Sequence, residues 1–450
     1  MDTKQSIASV LMLPWLAHGH ISPFLELAKK LSHRNLYIYL CSTPINLNSI
    51  KKRITEKYSH SIELVEIHLP SLPELPPHNH TTNGLPNHLI PTLKTAFEMA
   101  IPSFTNILKT LSPDLLIYDF NQPWAPTIAS SYNIPAVDFI PSGATMPSFT
   151  LHLRMKGGVE FPFPAIQLQG FHKMQFGNMI KTAANRAKNK EGPLDAMKRS
   201  CNIILFHTFR ELEGQYVDYL AALVEKKIVP AGSLVREIDD EDDHTEIIEW
   251  LDNKDESSTV FVSFGSESFM SKDEIEEIAH GLELSKVNFI WVVRFPVGEK
   301  VEIEEALPKG FLERLGERGM VVEGWAPQAR ILTHSSIGGF VSHCGWNSVM
   351  ESLKFGVPIV AMPMHYDQPF NARLVEEIGA AVEVNRDING RLNREDIAQV
   401  IRTVVVEKSG EDIRIKAREY SEKIRMKGEE EIDEVVEELL QLCKLKYLGD

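Results

Sequence analysis

The sequence predicts an α/β protein of two domains, each a mostly parallel sheet with helices on both faces. Short apolar runs alternate with helical patterns in two separate series, which is the signature of strand–helix–strand units. An acidic stretch divides the two series. The length, 450 residues, also exceeds what one ordinary core organises.

In the first series, Ala8–Leu13 reads as a strand, and Pro23–Leu31 as a helix with Phe24, Leu27, Ala28 and Leu31 on one face. Strands follow at Leu36–Cys41, Ile62–Ile67, Leu115–Tyr118 and Ala136–Ile140, with a helix at Trp124–Ser131. Residues Ser71–Gly84, rich in Pro, His and Asn, predict a long loop, and long loops in compact domains often carry function. Phe161-Pro162-Phe163-Pro164 breaks the chain, and Met174–Lys188 reads as a helix.

The second series has strands at Val260–Phe264, Phe289–Arg294, Met320–Glu323, Gly339–Ser342 and Ile359–Met362. Its helices fall at Lys272–Leu284, Pro327–Leu332, Ser348–Phe355 and Pro369–Ile378. Arg236–Asp243 has the charge of a solvated interdomain linker. Its Asp239–Asp243 part spells D-x-[DE], a pattern that also suits a Mg or Mn site, but no apolar strand flanks it and the linker reading is preferred. The charged tail Glu411–Leu445 is helical. The domains are set at 1–235 and 236–429.

Hydrophobic residues make up 43% of the chain, enough for two cores. The formal net charge of −15 argues against nucleic acid or an anionic membrane as partner. Four scattered cysteines (Cys41, Cys201, Cys344, Cys443) without a C-x-x-C pair fit a reduced cytoplasmic protein. Cys344 beside His343 permits a thiol-catalysis reading, although a small buried residue at a strand end is the preferred one. The run Ile7–Leu16 lacks the basic flank and cleavage site of a signal peptide, and no segment reaches 18 consecutive apolar residues.

The chemistry concentrates in WAPQARILTHSSIGGFVSHCGWNSVMESLKFGVPIVAMPMHYDQ, residues Trp325–Gln368. Gly339-Phe340-Val341 ends at Ser342-His343-Cys344-Gly345, and a helix begins near Asn347-Ser348. Such a strand–turn–helix aims free N–H groups and a positive dipole end at an anion. His343, Asn347 and Ser348 add side-chain donors. Ser348-x-x-Glu351 also reads as a plain capping box. Ser263-Phe264-Gly265-Ser266 offers a second anion contact through Ser266, since glycine permits close backbone approach. No Gly-x-Gly-x-x-Gly fingerprint or Walker lysine occurs in these turns, which disfavours a nicotinamide enzyme or a P-loop kinase. Trp325 is either an exposed plate or a core aromatic. Asp367-Gln368 can bind adjacent sugar hydroxyls.

A base is expected elsewhere. His20, in His18-Gly19-His20-Ile21-Ser22-Pro23, and Asp119, closing Leu115–Tyr118, both lie at strand ends, on the edge where open α/β sheets bind ligands. An Asp on the far ring nitrogen would fix the tautomer and stabilise the imidazolium. A structural histidine is the competing reading, and His18 is a rival base by proximity alone.

Trp325–Gln368, with the Gly-His-x-x-Pro and Tyr-Asp contexts, resembles the plant UDP-dependent glycosyltransferases, and the resemblance covers essentially the whole chain. It implies a GT-B fold, two facing Rossmann-like domains with a cleft between them, and a C-terminal helix (about 430–450) returning to the first domain. It also implies that Trp325 stacks on uracil, that Ala326 reads the base edge, and that Gln328 and Glu351 hold the ribose. Trp346, Asp367 and Gln368 would hold the donor sugar, the terminal Gln pointing to glucose. Relatives carry Thr or Ser directly after the strand Val137–Ile140. Here Pro141 intervenes and Ser142 stands one position on, as a substitute contact.

The resemblance further implies an inverting UDP-glucose-dependent enzyme with His20 and Asp119 catalytic, no cofactor and no metal, acting as a cytoplasmic monomer without a membrane span. Trp15–Phe24 and the loop His80–Pro86 resemble the branch that adds glucose to a sugar of a flavonoid or terpenoid glycoside. The polar loop suits a sugar-bearing acceptor and equally suits solvent. Transfer directly to an aglycone hydroxyl is one alternative, and a non-catalytic UDP-sugar binder is another.

Overall fold

The computed structural model describes residues 8–186, 192–237, 245–266, 269–295 and 302–448. They form two compact units, unit 1 from Met1–Met155, Asn185–Leu234 and Lys427–Asp450, and unit 2 from Lys156–Ala184 and Val235–Met426. The acidic run Asp239–Asp243 lies outside the described residues.

Unit 1 is built on strands β1 (Ala8–Leu13), β2 (Leu36–Ser42), β3 (Ile62–Glu66), β4 (Leu115–Asp119), β5 (Ala136–Ile140), β6 (Ile203–Phe206) and β7 (Lys227–Pro230). They pair in parallel in the order β3-β2-β1-β4-β5-β6-β7. Side chains of a strand alternate between faces, and both faces are covered, so each strand reads as a continuous apolar run. Val10 and Met12 pack with Phe24, Leu27 and Leu31 of the helix His18–Ser32, while Leu11 and Leu13 pack with Phe97 and Phe104. Ile432, Val435 and Leu439 of the helix Glu411–Leu448 complete the first of these layers.

Unit 2 repeats the plan with β8 (Thr259–Ser263), β9 (Asn288–Val293), β10 (Gly319–Glu323), β11 (Ile337–Ser342), β12 (Ile359–Ala361) and β13 (Ala381–Glu383), in the order β10-β9-β8-β11-β12-β13. All pairs are parallel. In each unit the chain runs outward in both directions from a central pair, β1/β4 and β8/β11. The loops after those two strands therefore diverge and leave a crevice at their carboxyl ends. His20 and Asp119 follow or end β1 and β4, and Ser266 and His343 follow β8 and β11, at these switch points.

The structure departs from expectation in specific places. The first helix begins at His18, so Pro23 lies inside it, where it deletes one backbone bond without ending the helix. The helix expected from Ser348 begins at Trp346 with Gly345 as its N-cap, and no side chain caps it. Ser348-x-x-Glu351 is consequently not a capping box. Strands β6, β7 and β13 are only four, four and three residues long, too short to carry a period. The loop residues His80, Thr81 and Thr82, whose composition suited solvent and a sugar-bearing acceptor equally, are buried. Thr43 Oγ1 donates to the His80 carbonyl at 2.8 Å, and Thr82 N–H to the Leu16 carbonyl at 2.9 Å. Among the described residues no helix is long and apolar enough to cross a membrane.

Candidate functional site

In unit 1, β1 and β4 are neighbours with Leu13 opposite Tyr118, so the turn after β1 and Asp119 reach the same sheet edge. His20, in the first turn of the following helix, places Nδ1 2.6 Å from Asp119 Oδ2. Asp119 is fully buried, whereas 23% of the His20 side chain remains accessible. The other carboxylate oxygen, Asp119 Oδ1, accepts both the backbone N–H and the side-chain amide of Asn121, each at 3.0 Å. The carboxylate is thereby fixed by three donors, and its contact with Nδ1 leaves Nε2 as the ring nitrogen on the opposite edge. The Phe120 ring lies 5.7 Å from the imidazole. His18 is exposed at the start of the helix. Ser142 is half-buried, two residues beyond β5.

In unit 2, β8 and β11 are neighbours with Ser263 opposite Ser342, so the turns Ser263–Ser266 and Ser342–Gly345 lie together. His343 is buried, and its Nδ1 has no hydrogen-bond partner among the described residues. A Cβ on Gly265 would stand 2.6 Å from His343 Nε2, and one on Gly345 2.5 Å from it. The imidazole is thus seated between two glycines, one from each turn, and neither tolerates a side chain without moving the ring. Burial pushes His343 down to about 3, reinforced by His365 and the Arg294 guanidinium, so the ring is neutral at physiological pH. A neutral ring carries one N–H to donate and adds no charge of its own. Ser348, in the first turn of the helix Trp346–Phe355, is buried, and Asn347 is half-buried beside it. The helix presents its unsatisfied N–H groups at this turn.

Cys344 is fully buried with φ +61°, and burial, aided by Glu383, holds its thiol well above the usual range. That answers the thiol-catalysis alternative, because a buried thiol without its proton lost is no nucleophile.

Gln328 opens the short helix Gln328–Leu332 and donates from Nε2 to Glu351 Oε2 at 2.6 Å and to Ser348 Oγ at 3.2 Å. Trp325, two residues past the end of β10, keeps 48% of its surface exposed, which rules out the core-aromatic reading. Ala326 is buried. The Trp346 indole is buried, with 4% exposed. Asp367 is half-buried, and its Oδ2 accepts from Asn371 Nδ2 at 2.9 Å. Gln368 is buried, and its Oε1 accepts the backbone N–H groups of Met364 and His365, both at 3.0 Å. Its oxygen is occupied by the backbone, leaving the Nε2 donors.

The N-terminal half, residues 5–233, matches the family model "Glycosyltransferase, N-terminal domain", and residues 226–416 match "UDP-glucoronosyl and UDP-glucosyl transferase". The chain is 56% identical to mogroside IIIx synthase of Siraitia grosvenorii over 99% of its length and 96% of that protein. It is 55% identical to the β-D-glucosyl crocetin β-1,6-glucosyltransferase of Gardenia jasminoides, covering 96% of this chain and 98% of that one. The crystal structure of Glycyrrhiza uralensis UGT73P12 with glycyrrhetinic acid 3-O-monoglucuronide superposes with a TM-score of 0.83 at 25% identity, over 99% and 98% of the two chains. The protein is a plant UDP-glycosyltransferase.

Its fold is that of the GT-B transferases, two parallel-sheet Rossmann-like units. Two features of this UDP-glycosyltransferase escaped the reading of its sequence. Asn371 is buried and donates from one nitrogen to both Asp367 Oδ2 and the Cys344 carbonyl, at 2.9 and 3.0 Å, tying the Asp367 carboxylate to the histidine turn. Its position four residues after Asp367, the N-cap of its helix, was the one local signal. Glu213, buried in the helix Arg210–Val224, accepts from the Ala144 and Thr145 backbone at 2.9 and 2.8 Å and from the Thr145 hydroxyl. It anchors the loop carrying Ser142 to a residue that no local pattern links to it.

Proposed function

We propose that this UDP-glycosyltransferase moves glucose from UDP-glucose to a sugar hydroxyl of a small-molecule glycoside, with inversion at the anomeric carbon. The His20–Asp119 contact carries the mechanistic part of this reading. His20 Nε2 takes the proton of the acceptor hydroxyl, whose oxygen attacks C1 of the α-linked glucose. The C1–oxygen bond to UDP breaks, the product is β-linked, and the bonding electrons leave on the diphosphate. Asp119 stabilises the imidazolium that forms, and a positioned base of this kind contributes about 10²–10⁴-fold.

For the donor, the exposed Trp325 stacks on the base and the Gln328–Glu351 pair meets the ribose hydroxyls. Ser266, His343, Asn347, Ser348 and the helix N-terminus take the diphosphate, and Asp367 with the Gln368 Nε2 group takes the hexose. Trp346 lies at the donor sugar with them, and Ser142 supplies the contact that Pro141 cannot. Departure of UDP needs no divalent cation in this scheme, because preorganised N–H donors and the helix dipole stabilise the developing charge.

For the acceptor, full-length identity of 55% to a transferase named for acting on glucosyl crocetin supports a sugar as the nucleophile. A flavonoid or terpenoid glycoside is the substrate class. Initial rates with UDP-glucose on a monoglucoside and on its free aglycone test this, and preference for the aglycone would sink the sugar-acceptor part while leaving the donor part standing.

A further inference from the structure

Arg294 follows β9 directly, at the edge where unit 2 gathers its donor-binding turns. Val262 pairs with Trp291 and Glu323 with Val293, and continuing both registers sets Arg294 level with Gly265 on one side and Gly324 on the other. The bond from Gly324 N–H to the Val293 carbonyl, 2.9 Å, shows that the second register does continue. Arg294 therefore stands between the glycine that seats His343 and the turn that presents Trp325.

The guanidinium is half-buried, and its Nε is shut off from solvent with no hydrogen-bond partner among the described residues. Other arginines of unit 2 close on acids: Arg386 on Glu274 at 2.8 Å, Arg373 on Glu376 at 2.9 Å, and Arg394 on Glu277. Arg294 has no carboxylate partner among the described residues, in a chain holding 62 Asp and Glu against 47 Lys and Arg. Burial draws its pKa downward with no carboxylate offsetting it, and its charge reaches His343, whose ring it helps keep neutral. A cation desolvated without a counter-charge is costly unless a ligand supplies one. The unpartnered His343 Nδ1 in the same place is a second buried polar atom awaiting a partner.

We propose that Arg294 is an anion-binding residue of this enzyme, pairing with the diphosphate of the nucleotide and stabilising UDP as it leaves. Arginine suits that task because its planar fork of N–H groups meets two phosphate oxygens at once. The assignment rests on the UDP-sugar reading above.

Calorimetric titration of the full chain with UDP, UMP and uridine separates the phosphate contribution from that of the base. Arg294→Gln is expected to weaken UDP roughly ten- to hundredfold, the scale of a charge-assisted bond, and to leave uridine unchanged. Arg294→Lys should recover part of the loss, since it keeps the charge and forfeits the fork. Unchanged UDP affinity in Arg294→Gln, or an equal fall for UDP and uridine, overturns the proposal. Wild-type protein that binds no UDP overturns the donor reading itself.

Discussion

His20 Nδ1 and Asp119 Oδ2 stand 2.6 Å apart although 99 residues separate them in the chain. Parallel pairing of β1 with β4 brings them together, and the two Asn121 donors on the remaining carboxylate oxygen hold the pair in register. His20→Ala is expected to lower kcat by about 10²–10⁴-fold with little change in UDP affinity. Asp119→Asn should cost a similar factor, because its amide can leave the ring in the wrong tautomer. Steady-state kinetics with parallel UDP titration checks both, and unchanged turnover in either variant contradicts the assignment.

Trp325 keeps nearly half its surface in solvent, so its indole contributes little to folding. Trp325→Ala should leave Tm nearly unchanged and weaken UDP by about 1–3 kcal/mol, the usual worth of a base stacked on an aromatic ring. Trp325→Phe should retain most of the affinity. A large fall in Tm with unaltered UDP binding would show that the indole serves packing.

Gly265 and Gly345 are held to glycine by the ring of His343. Gly265 also has φ +77°, so Gly265→Ala adds backbone strain of about 1 kcal/mol or more to the clash. Gly345→Ala carries the clash alone, as its φ of −57° suits any residue. Both variants should raise the KM for UDP-glucose, and Gly265→Ala should also lower Tm. Donor KM values equal to wild type would show that the His343 ring position does not matter to the nucleotide.

Glu431 gives a pH signature distinct from catalysis. Burial, with repulsion from Glu211 and Glu434, pushes it up to about 7 against an Arg210 N–H bond that pulls the other way. A carboxyl raised in the folded state binds its proton more tightly there, so its stabilising contribution is complete below its unfolded pKa and is lost as pH rises through 7. Glu431→Gln should therefore stabilise the protein by about 1–3 kcal/mol at about pH 8.5 and far less at about pH 5. Urea midpoints at the two pH values read this directly, and a gain of equal size at both would refute it.

The sequence discloses most of what is contiguous and least of what is assembled. Trp325, Gln328, His343, Ser348, Glu351 and Asp367 stand in one run of the sequence, so their proximity could be read from it. The pairing of His20 with Asp119 follows from one parallel sheet, although only Asp119 ends a strand and His20 lies in the first turn of the helix after β1. Asn371 was not, since its partners, Asp367 and the Cys344 carbonyl, are matched only once the helix packs on the turn. Gly265 read as a phosphate-loop glycine, yet its neighbour is the ring of a histidine 78 positions later, a contact no local spacing encodes. The polar loop at His80–Thr82 suited a sugar-bearing acceptor and solvent equally by composition, and it is buried, with Thr43 and Leu16 satisfying its backbone. Pro23 looked like a helix start and lies one turn inside the helix, which tolerates one missing N–H.

The most direct test of the central claim follows the anomeric carbon. UDP-glucose labelled with ¹³C at C1 is incubated with a small-molecule glucoside and the product read by NMR. The account predicts a new β-anomeric signal, correlated through the glycosidic oxygen to a carbon of the acceptor's sugar, and abolished in His20→Ala. An α-anomeric product, or a label joined only to the aglycone, contradicts it.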